Sequence, residues 1–228
     1  MMNAVKKSAC VFAVLATTST VVMAQSVDLK VIGTIAPTAC TPTLSGGGVV
    51  DYGVISAASL KKDAYKELEK RVLDIAITCD APAKVALYAI NGRPASAAGT
   101  TESGGFGGRI PVGVSAEQGN WVVGLGLDGA RRIGGYNMHI RDVTLDSKPG
   151  RFLYQPDGSV AWFDNGTGVV WDRKHMISFG EEGSSEPTAF TNMAGKLNVQ
   201  AYINKSSELD TNKAIKFGGQ MTMELFYL

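Results

Sequence analysis

Few side chains in this sequence combine the residue type and the spacing that chemistry needs, and the first candidates are two thiols. Cys40 and Cys79 stand 39 positions apart. In an exported chain an even pair of cysteines reads as a disulfide, with two unpaired buried thiols as the alternative. Closing a loop of about 40 residues would stabilise the fold by roughly 3 to 4 kcal/mol through the entropy of the unfolded chain. A zinc site would need further ligands. The only histidines, His139 and His175, lie 36 positions apart with no metal-ligand spacing around them, so neither a metal nor a cofactor is expected.

Other constellations are weaker. Gly124-Leu125-Gly126-Leu127-Asp128-Gly129 satisfies G-x-G-x-x-G after an apolar run, which is half of a dinucleotide fingerprint. The sequel Ala130-Arg131-Arg132-Ile133-Gly134-Gly135 cannot supply the helix whose N-terminus would hold a pyrophosphate. Asp164-Asn165-Gly166 with Asp172 lacks the alternating oxygen ligands of a calcium loop and reads as a hairpin turn. No serine sits in a strained G-x-S-x-G context near either histidine, and no pair of carboxylates is singled out for glycoside hydrolysis. Trp121, Trp162 and Trp171 could form a recognition platform, but Trp121 and Trp162 stand in apolar strand segments and are expected to pack on a core or sheet face. An enzyme is not expected.

The elements that must position these residues are strands. Val27 to Ile35 alternates, with Val27, Leu29, Val31 and Ile35 on one face. Val49 to Val54, Leu73 to Cys79, Lys84 to Ile90, Trp121 to Leu127, Tyr136 to Leu145, Arg151 to Tyr154, Val160 to Phe163 and Leu197 to Ile203 follow, separated by turn pairs such as Asn91-Gly92, Asp128-Gly129 and Asp157-Gly158. The chain closes on Met221 to Tyr227, which places Met221, Met223, Leu225 and Tyr227 on one apolar face. Such a strand lies inside a sheet or pairs with another polypeptide. The 27 glycines are scattered, which fits many tight turns and no repeat. Residues 61–71 are good helix formers with Glu67 set four before Arg71, so that stretch is left between a short helix and a strand leading to Cys79. Residues 95–108, rich in Gly, Ala and Ser, are expected to form a mobile loop with few anchors.

The N-terminus carries Lys6 and Lys7, an apolar run from Ala9 to Leu15, and Val22-Met23-Ala24 as a small-residue cleavage site. We read residues 1–24 as a signal peptide and 25–228 as a single all-β domain. The apolar run falls short of the ~20 residues that span a bilayer, so no integral membrane segment is expected after cleavage. The leader takes only two lysines with it, which leaves 20 basic side chains against 21 acidic ones. That balance, without a basic run among aromatics, argues against a nucleic-acid partner.

The leader, the segment Val31-Ile32-Gly33-Thr34-Ile35 followed by Cys40, the second cysteine ending a strand at Cys79, and a terminal strand with penultimate Tyr227 together resemble subunits of chaperone-usher fimbriae. The chain looks closest to the fimbrial-like group defined by domain of unknown function 1120 (DUF1120), through Thr34-Ile35-Ala36-Pro37-Thr38-Ala39-Cys40 and Asp51-Tyr52-Gly53. The resemblance implies an immunoglobulin-like, pilin-type β-sandwich that lacks its last strand and carries one disulfide. Its partners would be a periplasmic pilus chaperone, an usher and other fimbrial subunits. By that resemblance Met221, Met223, Leu225 and Tyr227 border the chaperone and donor-strand groove, while Cys40 and Cys79 tie the first two strands.

Cleavage after Ala24 would leave only Gln25 and Ser26 before Val27, almost nothing to donate, and Ile215 stands where the family usually has a glycine. The expectation is therefore a non-catalytic fimbrial-like structural or adhesion subunit, in the periplasm, a fimbrium or at the cell surface, that accepts a strand. The alternative is a self-sufficient periplasmic or secreted β-sandwich binding protein whose own Val27 to Ile35 or central insertion fills the gap. An exported hydrolase is a third class without a named site.

Overall fold

A computed structural model describes residues 30–32, 38–103, 107–164 and 175–228. The leader, most of the expected strand Val27 to Ile35, and the positions Asn165, Gly166, Trp171 and Asp172 lie outside the described residues. The chain divides into two units, Met1–Ala36 and Pro37–Leu228. Residues 30–32 of the first have no regular secondary structure. The second unit carries the architecture.

Its strands are β1 (Cys40–Leu44), β2 (Lys66–Glu67), β3 (Arg71–Ala83), β4 (Val85–Asn91), β5 (Gly108–Arg109), β6 (Trp121–Gly124), β7 (Leu127–Asp128), β8 (Arg131–Arg132), β9 (Gly134–Leu145), β10 (Lys148–Gln155), β11 (Phe163–Asp164), β12 (Met176–Glu181), β13 (Phe190–Ile203) and β14 (Met221–Tyr227). Eight of them form one antiparallel path, β1-β3-β13-β9-β10-β12-β4-β14. The turn in the middle of this path bends it back on itself. Asp146 and Ser147 adopt φ of 48° and 67° between Leu145 and its partner Lys148, the two-residue geometry whose twist suits a hairpin. β9 and β10 then pair only through Leu145–Lys148 and Thr144–Pro149 before they part. The Asp146 carboxylate accepts from the Asn192 and Thr191 amides at 2.8 and 3.1 Å, which pins the start of β13 to the same corner.

Alternation explains what lies inside. Leu73, Ile75, Ile77 and Cys79 of β3 are buried, whereas Asp74 and Thr78 face outward. They meet Val85, Leu87 and Ala89 of β4, Met138 and Ile140 of β9, and Phe179 of β12 in a single apolar core. The sheet is thus wrapped nearly closed around that core. Cys40 and Cys79 are register partners and form a disulfide at one end of it.

The long connection between β4 and β9 forms a further layer, which corrects the expectation of a loop with few anchors at 95–108. Glu102 is the anchor: its carboxylate accepts from the Ala97 amide at 2.6 Å, the Ala95 amide at 2.8 Å and Asn91 Nδ2 at 3.0 Å. Ala97, Ala98 and Val122 pack on Tyr202, whose hydroxyl donates to the Ala98 carbonyl at 2.7 Å. Gly135, opposite Tyr202 in the ladder, leaves the space that this ring crosses. On the same outer side, Asn137 Nδ2 donates to the Ser115 and Gly119 carbonyls and Arg141 to Glu117, so residues 115–119 roof β9. His139 lies between them, 5% exposed.

Other expectations shift. Residues 61–71 contain no helix: Tyr65 packs edge-on to Tyr202 with ring centroids 5.4 Å apart, and the Leu68 amide donates to Ala201 at 2.8 Å. Tertiary pairing here overrides the local helix preference. Arg71 meets Glu69 at 3.3 Å, in place of the Glu67 expected from helical spacing. Val49 to Val54 forms no strand, and the Trp121 to Leu127 run breaks at Gly124 because Gly126 sits at φ +94°. Val160 to Phe163 contributes only Phe163–Asp164.

Two measurements check this account. Replacing both Cys40 and Cys79 by Ser lowers unfolding free energy by roughly 4 kcal/mol in denaturant titrations, the loop-entropy value for this separation. Burial, with Arg141 adding to it and Asp164 opposing, lowers the His139 pKa from 6.5 to about 4. The unfolded chain therefore takes up a proton between pH 6.5 and 4 that the folded chain refuses, and stability falls as pH drops through that window. His139→Asn flattens this acid limb in urea unfolding measured across the window.

Candidate functional site

The two ends of the strand path define the site. β14 pairs with β4 along its whole length, from Met221–Asn91 to Tyr227–Val85, and among the described residues with no other strand. Among the described residues β1 pairs only with β3. Each strand therefore has one edge without a ladder partner, and the two edges flank a common cavity of about 1270 Å³. Leu44 and Val50 stand on the β1 side, Phe217, Met221 and Met223 on the β14 side, with core residues such as Ile75 and Val199 at the floor. The groove is an opening into the hydrophobic core.

The sequence-predicted residues divide around it. Met221 and Met223 line the groove, and Leu225 packs against the core beside it. Tyr227 stands at its end, where its hydroxyl accepts from the Cys40 amide at 2.7 Å. Thr222, Glu224 and Phe226 alternate to the opposite face, and Phe226 meets Tyr88 edge-on with ring centroids 4.6 Å apart. Cys40 and Cys79 fix the β1 wall to the sheet.

Sequence reasoning missed part of the wall, residues 49–57 and 211–219. Its one signal was Asp51-Tyr52-Gly53. The Asp51 carboxylate accepts from the Gly53 amide at 2.7 Å, and Gly53 takes φ +63°, a conformation that glycine adopts at little cost. This turn directs Tyr52 inward, where its hydroxyl accepts from the Ala201 amide at 3.3 Å. Burial pushes the Tyr52 pKa up, against the pull of that hydrogen bond and of Arg71, whose guanidinium lies 5.7 Å from the ring centroid. Desolvation also holds the Tyr136 phenol, another lining residue, well above its ordinary pKa. Nothing in this lining pairs a nucleophile with a base.

The remaining candidates are structural where described. Gly129, at φ +61°, turns the β7–β8 hairpin, so strand follows the G-x-G-x-x-G run where a nucleotide site needs a helix. Trp162 packs on Ala86 and Leu153 over the outer face of the second half of the sheet. Trp121 begins β6 with the Arg109 guanidinium 5.0 Å from its ring centroid. Tyr154 stacks on His175, centroids 5.8 Å apart. Among the described residues no three His, Cys, Asp or Glu side chains gather as metal ligands, and no helix is long and apolar enough to cross a membrane.

Comparison with known proteins agrees with the motifs. A family model described as a protein of unknown function (DUF1120) matches residues 29–136. The chain is 28% identical over 220 residues to the uncharacterized protein YhcF of Escherichia coli (strain K12), covering 89% of this chain and 90% of that one. It is 24% identical over 245 residues to protein GltF of the same organism, covering 97% and 94%. No solved structure matches the chain. The family match over residues 29–136 takes in β1, the Asp51-Tyr52-Gly53 turn and both cysteines, so the similarity to DUF1120 covers the β1 wall of the groove.

Proposed function

We propose that the protein is a non-catalytic, exported subunit of fimbrial-like assemblies whose groove accepts an extended segment from another polypeptide. A periplasmic chaperone fills it first and a neighbouring subunit afterwards. In this reading the nearly closed sheet is an immunoglobulin-like, pilin-type sandwich awaiting its last strand.

The observation that carries the proposal is the pair of unpartnered strand edges facing one another across an apolar cavity. A small molecule could fill the space but would leave both edges without main-chain partners. An inserted strand supplies amides and carbonyls to each wall while alternate side chains enter the core, and it removes an edge that would otherwise template aggregation. The Tyr227–Cys40 hydrogen bond favours the second reading, a self-sufficient β-sandwich binding protein, because it draws the two edges together at one end without any partner.

Coexpression separates the two. With a periplasmic chaperone of a fimbrial pathway, residues 25–228 co-purify as a one-to-one complex. Met223→Asp reduces capture by at least about 10-fold because it sets a charge in the apolar groove, while Thr222→Lys on the opposite face leaves capture unchanged. A stable monomer obtained at equal yield without chaperone, together with undiminished capture of Met223→Asp, refutes strand acceptance.

A further inference from the structure

The two walls of the groove do not offer a docked strand the same hydrogen bonds. On β14 the Gly92 amide donates to Gln220 at 2.9 Å and the Leu228 amide to Lys84 at 3.0 Å, and the register between these points is unbroken. Because main-chain groups alternate sides along a strand, residues 220, 222, 224, 226 and 228 face β4. The amides and carbonyls of Met221, Met223, Leu225 and Tyr227 therefore face the groove. On β1 the Asp80 amide donates to the Ala39 carbonyl at 3.0 Å, so residues 39, 41 and 43 face β3 and the groove side falls to Cys40, Pro42 and Leu44.

That second wall is poor in donors. Pro42 has no amide hydrogen, and the Cys40 amide is already held by the Tyr227 hydroxyl at 2.7 Å. Among the described residues Leu44 alone keeps a free donor position on this edge of β1, and none of the three carbonyls has a strand partner. The end at Cys40 is also the tied end. The disulfide, the reciprocal bonds of Ala39 with Asp80 and the Leu228–Lys84 bond all converge there. The cavity follows this division: Pro42, Thr43, Leu44, Met221 and Met223 line it, whereas Cys40 and Tyr227 do not.

We infer that the Tyr227 hydroxyl is an end stop for the partner strand, which is laddered mainly on β14 and enters from the end of the groove formed by residues 49–57 and 211–219. The inference rests on the strand-accepting reading and adds a boundary to it. By satisfying the Cys40 amide itself, Tyr227 removes the last donor on which a strand running past Pro42 could continue. The partner that fits is an extended segment that ends or bends away at Tyr227, with apolar side chains at alternate positions and with its own amides turned toward the carbonyls of Cys40 and Pro42.

Peptides of alternating valine and threonine with a lysine pair for solubility serve as probes. They are matched in length to β1 (five residues) and β14 (seven residues), or made two residues longer than β14. Dissociation is followed by surface plasmon resonance on residues 25–228. For the unmodified protein, dissociation slows up to the length of β14 and no further. In Tyr227→Phe, which keeps the ring and frees the Cys40 amide, the longest peptide dissociates about five-fold more slowly than the one matched to β14, the gain expected for one net hydrogen bond. Unchanged length dependence in Tyr227→Phe, or weaker binding at every length, overturns the stop while leaving the groove intact. Absence of binding to either protein overturns the strand-accepting reading itself, and the stop falls with it.

Discussion

A main-chain amide or carbonyl on a strand needs a partner, and among the described residues the sheet ends twice without a strand to supply one. β1 and β14 end a long antiparallel path around a common core, yet each has a single neighbour among the described strands. At one end the Tyr227 hydroxyl ties the two edges together through the Cys40 amide, and beyond it they flank an opening into the core. A sheet that closed by direct pairing would have no groove. One that flared would expose more apolar surface than a soluble domain tolerates.

Several local devices keep the walls in place. The disulfide fastens β1 to β3 at one end, and the Asp146 corner binds the β9–β10 turn to the start of β13. The Asp51–Gly53 turn swings Tyr52 onto Ala201, so the unpaired stretch after β1 is secured by a side chain in place of a ladder. Outside, the layer anchored by Glu102 and Tyr202 covers β9 and β13, while Leu125 and Ile133 of the same connection line the groove.

Much of the scaffold was legible because period-two burial writes itself into sequence. Leu73, Ile75 and Ile77, the run Tyr136 to Leu145, and the terminal Met221 and Met223 all lie where alternation places them. The cysteine pairing was expected from parity together with the leader-like N-terminus. Local pattern left the outcome open, or missed it, where a residue's partner is distant. Tyr65 and Leu68 sit in a helix-forming stretch but are claimed by Tyr202 and Ala201. Val50 and Tyr52 do face inward, as alternation suggests, but no local pattern says that their backbone lacks a neighbour. The groove itself is a relation between β1 and β14, which are far apart in the chain, and only the fold brings Tyr227 to Cys40.

The most direct measurement of strand acceptance is residue-resolved amide hydrogen exchange along β14, with the chain free and then mixed with a periplasmic chaperone of a fimbrial pathway. The account predicts slow exchange at Thr222, Glu224 and Phe226 in both states, because β4 holds their amides. Met221, Met223 and Leu225 exchange fast in the free chain and become protected in the complex. Protection of all six in the free monomer would show that the chain pairs its own edge. Continued fast exchange at Met221, Met223 and Leu225 in the complex would show that the partner binds elsewhere. Either result contradicts the account.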